Sequence, residues 1–121
     1  AGSNYGLADI FFAYDQSIIT SDSKVVLDQN ASIIRANSNR FQVVVIEGYC
    51  DIRGTEEYNL ALGQRRAESA KNYLVGLGVS PSLLQALSKG ETDQFAYGTS
   101  EYDYQQNRRA HFVPAVSGSN F

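Results

Sequence analysis

Glu47, Asp51, Arg53, Thr55, Asn59 and Arg66 fall in one stretch, from Val43 to Glu68. Carboxylates, guanidinium groups, a hydroxyl and an amide are recognition groups: they carry charge and donate or accept hydrogen bonds. The stretch opens on Val43 to Ile46, an apolar, β-branched run that reads as a buried strand. It turns through Gly48 and Gly54, then enters a segment rich in Ala, Leu, Glu and Arg that reads as a helix. Ligands of open α/β sheets sit off the carboxyl ends of strands, beside a helix N-terminus. A binding site is therefore expected at this junction. On the helix, Asn59, Leu62, Gly63 and Arg66 are spaced by three, four and seven and share one stripe. That stripe can face the loop that carries Asp51.

The elements that must hold this junction read as follows. Leu7 to Tyr14, with Ile10, Phe11, Phe12 and Tyr14, predicts a first strand. Lys24 to Ala36 predicts a helix whose apolar face is Val26, Leu27, Ala31 and Ile34. Thr20, Asp22 and Ser23 all qualify as its N-cap. Phe41 to Glu47 predicts a second, central strand covered on both faces or nearly so. The second helix starts at the acidic pair Glu56 and Glu57 and runs to about Gly76, burying Leu62, Ala70, Tyr73, Leu74 and Leu77. Ser80-Pro81 reads as a short turn. Leu83 to Ser88 predicts a third strand, although Leu-Leu-Gln-Ala-Leu equally suits a helix. Tyr102 to Asn107 reads as one helical turn, and Arg108 to Val113 alternates as a half-buried or edge strand. The expected fold is an α/β (α+β) two-layer sandwich, β-α-β-α-β-(α)-β, with a mixed sheet of about four strands and two main helices on one face. One domain over residues 1–113 and a flexible tail over 114–121 are expected.

Composition narrows the function classes. The 121 residues allow one domain with a modest core. A net charge of −3 argues against a general nucleic-acid binder. No apolar run approaches the roughly 18 residues of a membrane span. The lack of Met and of a leader pattern predicts a piece of a longer chain, with any targeting signal outside it. Cys50 is the single cysteine, which excludes an internal disulfide and a Cys-rich metal site. P-loop, dinucleotide and metal-ligand patterns are absent. No cofactor is expected.

From the residues alone, each candidate also has a plainer role. Asp51 reads equally as a turn carboxylate. Arg66, next to Arg65, reads as part of a solvated helix face. Asn59 reads as a structural hydrogen-bonder, and Asn107-Arg108-Arg109 as a tie between loop and sheet. His111 reads as a surface or paired residue and Cys50 as a small buried hydrophobe. A Cys50–His111 catalytic pair or a pair of glycan-cleaving carboxylates stays open, without a motif or spacing that selects it.

Four motifs resemble the OmpA-like peptidoglycan-binding domain, and within it the lipoprotein branch. Phe12-Ala13-Tyr14-Asp15 is similar to the family's first-strand Phe-x-Phe-Asp. Glu47-Gly48-Tyr49-Cys50-Asp51-Ile52-Arg53-Gly54-Thr55 is similar to Glu-Gly-His-Thr-Asp-x-Arg-Gly-Thr. Glu57 to Ala67 resembles the family's Glu-Tyr-Asn helix start with its Arg-Ala, and Asn107-Arg108-Arg109 its closing Asn-Arg-Arg. The resemblance runs from about Ile10 to Val113. Tyr49 departs from the usual His or Asn, Cys50 from Thr or Ala, and Ala13 from Asp or Gly. Gly90-Glu91-Thr92-Asp93 lacks the proline of the family's loop.

The resemblance implies a noncatalytic domain that holds peptidoglycan through the diaminopimelate residue of the stem peptide, at the periplasmic face of the bacterial outer membrane. A lipidated cysteine upstream would supply the membrane anchor. A periplasmic protein of the Tol system is a further implied partner; the same domain also occurs on porins and flagellar stators. Diaminopimelate ends in an ammonium and a carboxylate on one carbon. Asp51 is expected to accept the ammonium and Arg66 to clasp the carboxylate in a bidentate fork. Asp15, Asn59 and Leu62 are expected to line the same pocket. Neither Asp51 nor Arg66 is counted among the core residues.

Overall fold

The computed structural model describes residues 4–116. Strand β1 is Ile10–Phe11, helix α1 Ser21–Ala36, β2 Phe41–Cys50 and α2 Glu56–Gly76. A 3-10 turn at Pro81–Leu83 leads into β3, Leu84–Glu91; α3, Glu101–Asn107, precedes β4, Arg109–Val116. The four strands form one mixed sheet in the order β1-β4-β2-β3. β2 runs parallel to β3 and antiparallel to β4. This is the expected α+β sandwich with both long helices against one face.

The core explains the layering. Leu27, Ala31 and Ile34 of α1 and Ala67, Ala70 and Leu74 of α2 pack with Val44, Ile46, Ala110 and Phe112 of the sheet. Gly48 and Gly63 bring α2 onto the backbone of β2. A Cβ on Gly48 would lie 1.9 Å from the Gly63 carbonyl oxygen, and one on Gly63 2.7 Å from the Gly48 oxygen. No side chain fits between these backbones.

The structure sharpens or corrects the sequence reading in five places. β1 keeps two residues, because after Phe11 the chain turns toward α1. Thr20, not Asp22 or Ser23, caps α1, accepting the Ser23 amide at 3.2 Å. β2 continues past Glu47 to Cys50, and its face away from the helices is only half-covered at Val45 and Glu47. The apolar run had suggested cover on both sides, but the sandwich has no second helical layer. β3 is a strand, reaching Glu91, since its partner β2 offers a full ladder. β4 reaches Val116, three residues into the expected tail; 117–121 lie outside the described residues. Pro114 is tolerated there because β1, which pairs with β4 only at Ala110 and Arg109, has already ended. Among the described residues no helix is long and apolar enough to cross a membrane.

Candidate binding site

The junction between β2 and α2 is built by local rules. Thr55 caps α2 by accepting the Tyr58 amide at 3.1 Å, with Glu56 and Glu57 in the first turn. Gly54 takes φ +98°, a conformation that an L side chain rarely adopts. Asn59, buried in the second turn, donates to the Arg53 carbonyl at 2.9 Å and to Glu91 at 3.3 Å, so the loop is tied to both α2 and β3. Cys50 donates to the Asn59 carbonyl at 3.2 Å.

Asp51 stands just beyond β2 and is 3% exposed. Its Oδ1 accepts the Arg53 amide at 3.0 Å and Arg53 Nε at 3.1 Å; its Oδ2 accepts Arg53 Nη2 at 2.9 Å and Arg108 Nη1 at 3.3 Å. Burial pushes the Asp51 carboxyl up, but the hydrogen bonds and charge of Arg53, with Arg108, outweigh it and hold the pKa below the usual value. Arg53 is itself clamped, with its guanidinium 4.3 Å from the Tyr14 ring centre and 4.1 Å from that of Tyr104. Arg108 also donates to the Phe12 carbonyl at 2.9 Å and to Glu101 at 3.0 Å.

Arg66 lies on the stripe the spacing marked, but it is 1% exposed. The expectation that Asp51 and Arg66 lie outside the core does not hold: both are buried. Arg66 Nε donates to Gln16 O at 2.8 Å, Nη1 to Tyr49 O at 3.0 Å and Nη2 to Ala13 O at 3.2 Å. Asp15, in the left-handed region at φ 60°, turns the chain so that the carbonyls on either side of it point at Arg66. Desolvation lowers the Arg66 pKa, and among the described residues it forms no ion pair. Of the five N–H groups of a guanidinium, three make these bonds.

A cleft of about 50 Å³ joins these groups, lined by Tyr14, Asp15, Asp51, Tyr58, Leu62 and Arg66 together with Cys50, Arg53, Gly54, Asn59 and Arg108. All five residues expected from the sequence, Asp15, Asp51, Asn59, Leu62 and Arg66, therefore meet in one place. Sequence reasoning missed Arg108 and the aromatic rim of Tyr14 and Tyr58, which are 58% and 45% exposed. Arg108 belonged to a motif read as structural, and that reading also fits its tie to Phe12. The Tyr58 hydroxyl donates to Asp15 Oδ1. A larger groove of about 380 Å³ runs beside β1 and the start of α1. It holds none of these five residues, and its one cation, Arg108, is already engaged.

The Cys50–His111 pairing finds no geometry. Burial pushes the Cys50 thiol up to about 11, away from the nucleophilic thiolate. His111 bonds instead to Asp9, at 2.9 Å.

The OmpA family profile matches residues 11–108. The chain is 45% identical over 103 residues to the peptidoglycan-associated lipoprotein of Pseudomonas putida, covering 85% of this chain and 60% of that protein. It is 42% identical over 101 residues to the Haemophilus influenzae protein of the same name, covering 84% and 65%. It thus spans a little under two thirds of the length of these curated relatives. Among solved structures, the peptidoglycan-associated lipoprotein from Burkholderia pseudomallei superposes with a TM-score of 0.82 at 36% identity, covering 88% of this chain and 89% of that one. The C-terminal domain of Helicobacter pylori MotB superposes with a TM-score of 0.83 at 22% identity, covering 93% and 88%, a likeness of fold. With the expected fold, the four motifs and these relatives in agreement, the chain belongs to the OmpA family.

Proposed function

We propose that this domain binds peptidoglycan through the free end of a diaminopimelate residue and so tethers the outer membrane to the cell wall from its periplasmic side. The observation that carries the reading is Arg66: a buried guanidinium without a carboxylate partner among the described residues, opening on the same cleft as the buried carboxylate of Asp51. Burying an uncompensated cation is costly, and a ligand carboxylate would relieve that cost. In this reading the ligand carboxylate takes the remaining Arg66 N–H groups while its ammonium goes to Asp51. Both Asp51 oxygens already accept two bonds each, so the ammonium displaces one of the arginines. Arg53, its side chain 34% exposed against 5% for Arg108, is the one displaced in this reading, giving up its place between the Tyr14 and Tyr104 rings. Asp15, Asn59 and Leu62 shape the wall. The names of the relatives, lipoproteins associated with peptidoglycan, support this class of ligand and suggest no enzyme. A membrane anchor would belong to a segment outside this chain, and a Tol-system protein would be a second partner.

Calorimetric titration with a stem peptide containing diaminopimelate, against the same peptide with lysine, tests the clamp. Lysine keeps the ammonium and lacks the carboxylate beside it. Binding to the diaminopimelate peptide alone is expected. Equal binding to both would remove Arg66 from the reading, and binding to neither would remove the stem peptide as ligand.

A further inference from the structure

The sheet order leaves β1 and β3 as edges, and an edge strand offers unpaired backbone groups to any other extended chain. The β3 edge is covered by a helix side-chain amide. At β3, Gln64 of α2 accepts the Ser88 amide at 3.1 Å and donates to the Ala86 carbonyl at 3.4 Å. Bonding O of one residue and N–H of the residue two further on is what a parallel neighbouring strand does. The edge is covered further along as well: the Leu84 amide bonds Pro81 O, and the Gly90 amide bonds Ser88 Oγ at 3.2 Å.

We propose that Gln64 guards the β3 edge against strand addition, and that the partner this edge fits is β3 of a second copy of the chain. β3 is eight residues long, whereas β1 has two, so β3 is the edge able to pair through its middle, between the amides of Leu84 and Gly90 that have partners of their own. Leu60 of α2, 52% exposed, lies beside it on the helix face of the sheet, and Leu87, 40% exposed and alternating with Ala86 and Ser88, lies on the opposite face. Two-fold antiparallel pairing of β3 brings apolar surface of the two copies together on both faces of the joined edge. Lys89 lies among Glu56, Glu57 and Glu91, so the flanks are of mixed charge and do not repel their copies uniformly. Gln64 occupies the Ser88 amide and the Ala86 carbonyl, two groups that such a ladder needs.

Gln64→Ala tests the guard, because Ala keeps the helix and removes both bonds. Sedimentation velocity across a concentration series reads the association, and amide hydrogen exchange reads the Ser88 N–H. The wild type is expected to stay monomeric with a protected Ser88 amide. At low concentration the variant is expected to exchange Ser88 about tenfold faster, and at high concentration to form a dimer in which Ser88 is protected again. A variant that stays monomeric at every concentration overturns the proposal, as does an unchanged Ser88 exchange rate. A wild type that already pairs through β3 overturns it too.

Discussion

Asp51 at the end of β2 and Asp9 just before β1 each hydrogen-bond to two basic side chains. Asp51 is held by Arg53 and Arg108; Asp9 is held by Arg109 at 2.8 Å and by His111 at 2.9 Å. Both carboxyls are pushed up by burial and pulled lower by their partners, which win. In composition the two clusters are near twins, yet their surroundings differ. Arg109 is sandwiched between aromatic rings, 3.8 Å from the centre of Phe95 and 4.8 Å from that of Phe11. Phe95 also packs edge-on against Tyr49 at 5.0 Å, and the Tyr49 hydroxyl donates to Glu47 at 3.0 Å. The Asp9 cluster thus closes on itself and fastens β1 to β4. Both clusters touch an opening, Asp9 the larger groove, but only the Asp51 cluster adjoins a third guanidinium, Arg66, that has no carboxylate partner among the described residues. What marks the candidate site here is spare bonding capacity, not the number of charges.

The largest expected effect comes from removing that third cation. Arg66→Ala leaves the carbonyls of Ala13, Gln16 and Tyr49 without their donor, so a loss of about 3 kcal/mol or more in unfolding free energy is expected, with ligand binding lost as well. Denaturant unfolding measures it; a variant as stable as the wild type would reduce Arg66 to a surface residue. Asp51→Asn is gentler on the fold, since the amide keeps the shape. It should weaken binding of the diaminopimelate peptide by about 2 kcal/mol, roughly thirtyfold, while Asp9→Asn leaves binding unchanged. Equal losses in the two variants would erase the distinction between the clusters.

Acid should also act on the Asp51 cluster. The Asp51 pKa is lowered in the folded chain, so its contribution is complete above the unfolded carboxyl range near about 3.9 and fades as pH falls through the lower folded value. Stability should therefore hold at pH 5 and decline below about pH 4, and Asp51→Asn should flatten that decline.

The Asp9 cluster answers to acid in the same way through its own lowered carboxyl, and to alkali as well through His111. His111 is raised by its hydrogen bond and attraction to Asp9, aided by the charge of Glu47, against burial and the repulsion of Arg109. A raised folded pKa gives stability that is complete below about 6.5 and lost as pH rises through the folded value. His111→Gln should cost under about 1 kcal/mol at pH 6 and still less at pH 9, since the pair is partly exposed. A cost that grows with pH would reverse the assignment. The smallest effect is expected from Tyr58→Phe at the cleft rim, about 0.5 kcal/mol in stability, with any larger change confined to ligand affinity.

Much of this was legible without coordinates. Helix α2 follows from its acidic first turn and its run rich in Ala, Leu, Glu and Arg. The candidate site's position follows from the strand-to-helix junction, and the presence of Asn59, Leu62 and Arg66 at that junction follows from their shared stripe. These are local signals: period, propensity and capping act over a few residues, so they survive in a linear string. Tertiary structure alone decided the rest. It set Arg108 against Asp51, 57 positions away, and aimed the carbonyls of Ala13 and Gln16 at Arg66 across more than fifty and exactly fifty positions, 53 and 50. It turned Gly63 from a member of a helix stripe into the point where α2 touches β2. No spacing encodes such meetings, because they depend on how the sheet orders its strands and how closely a helix settles on it.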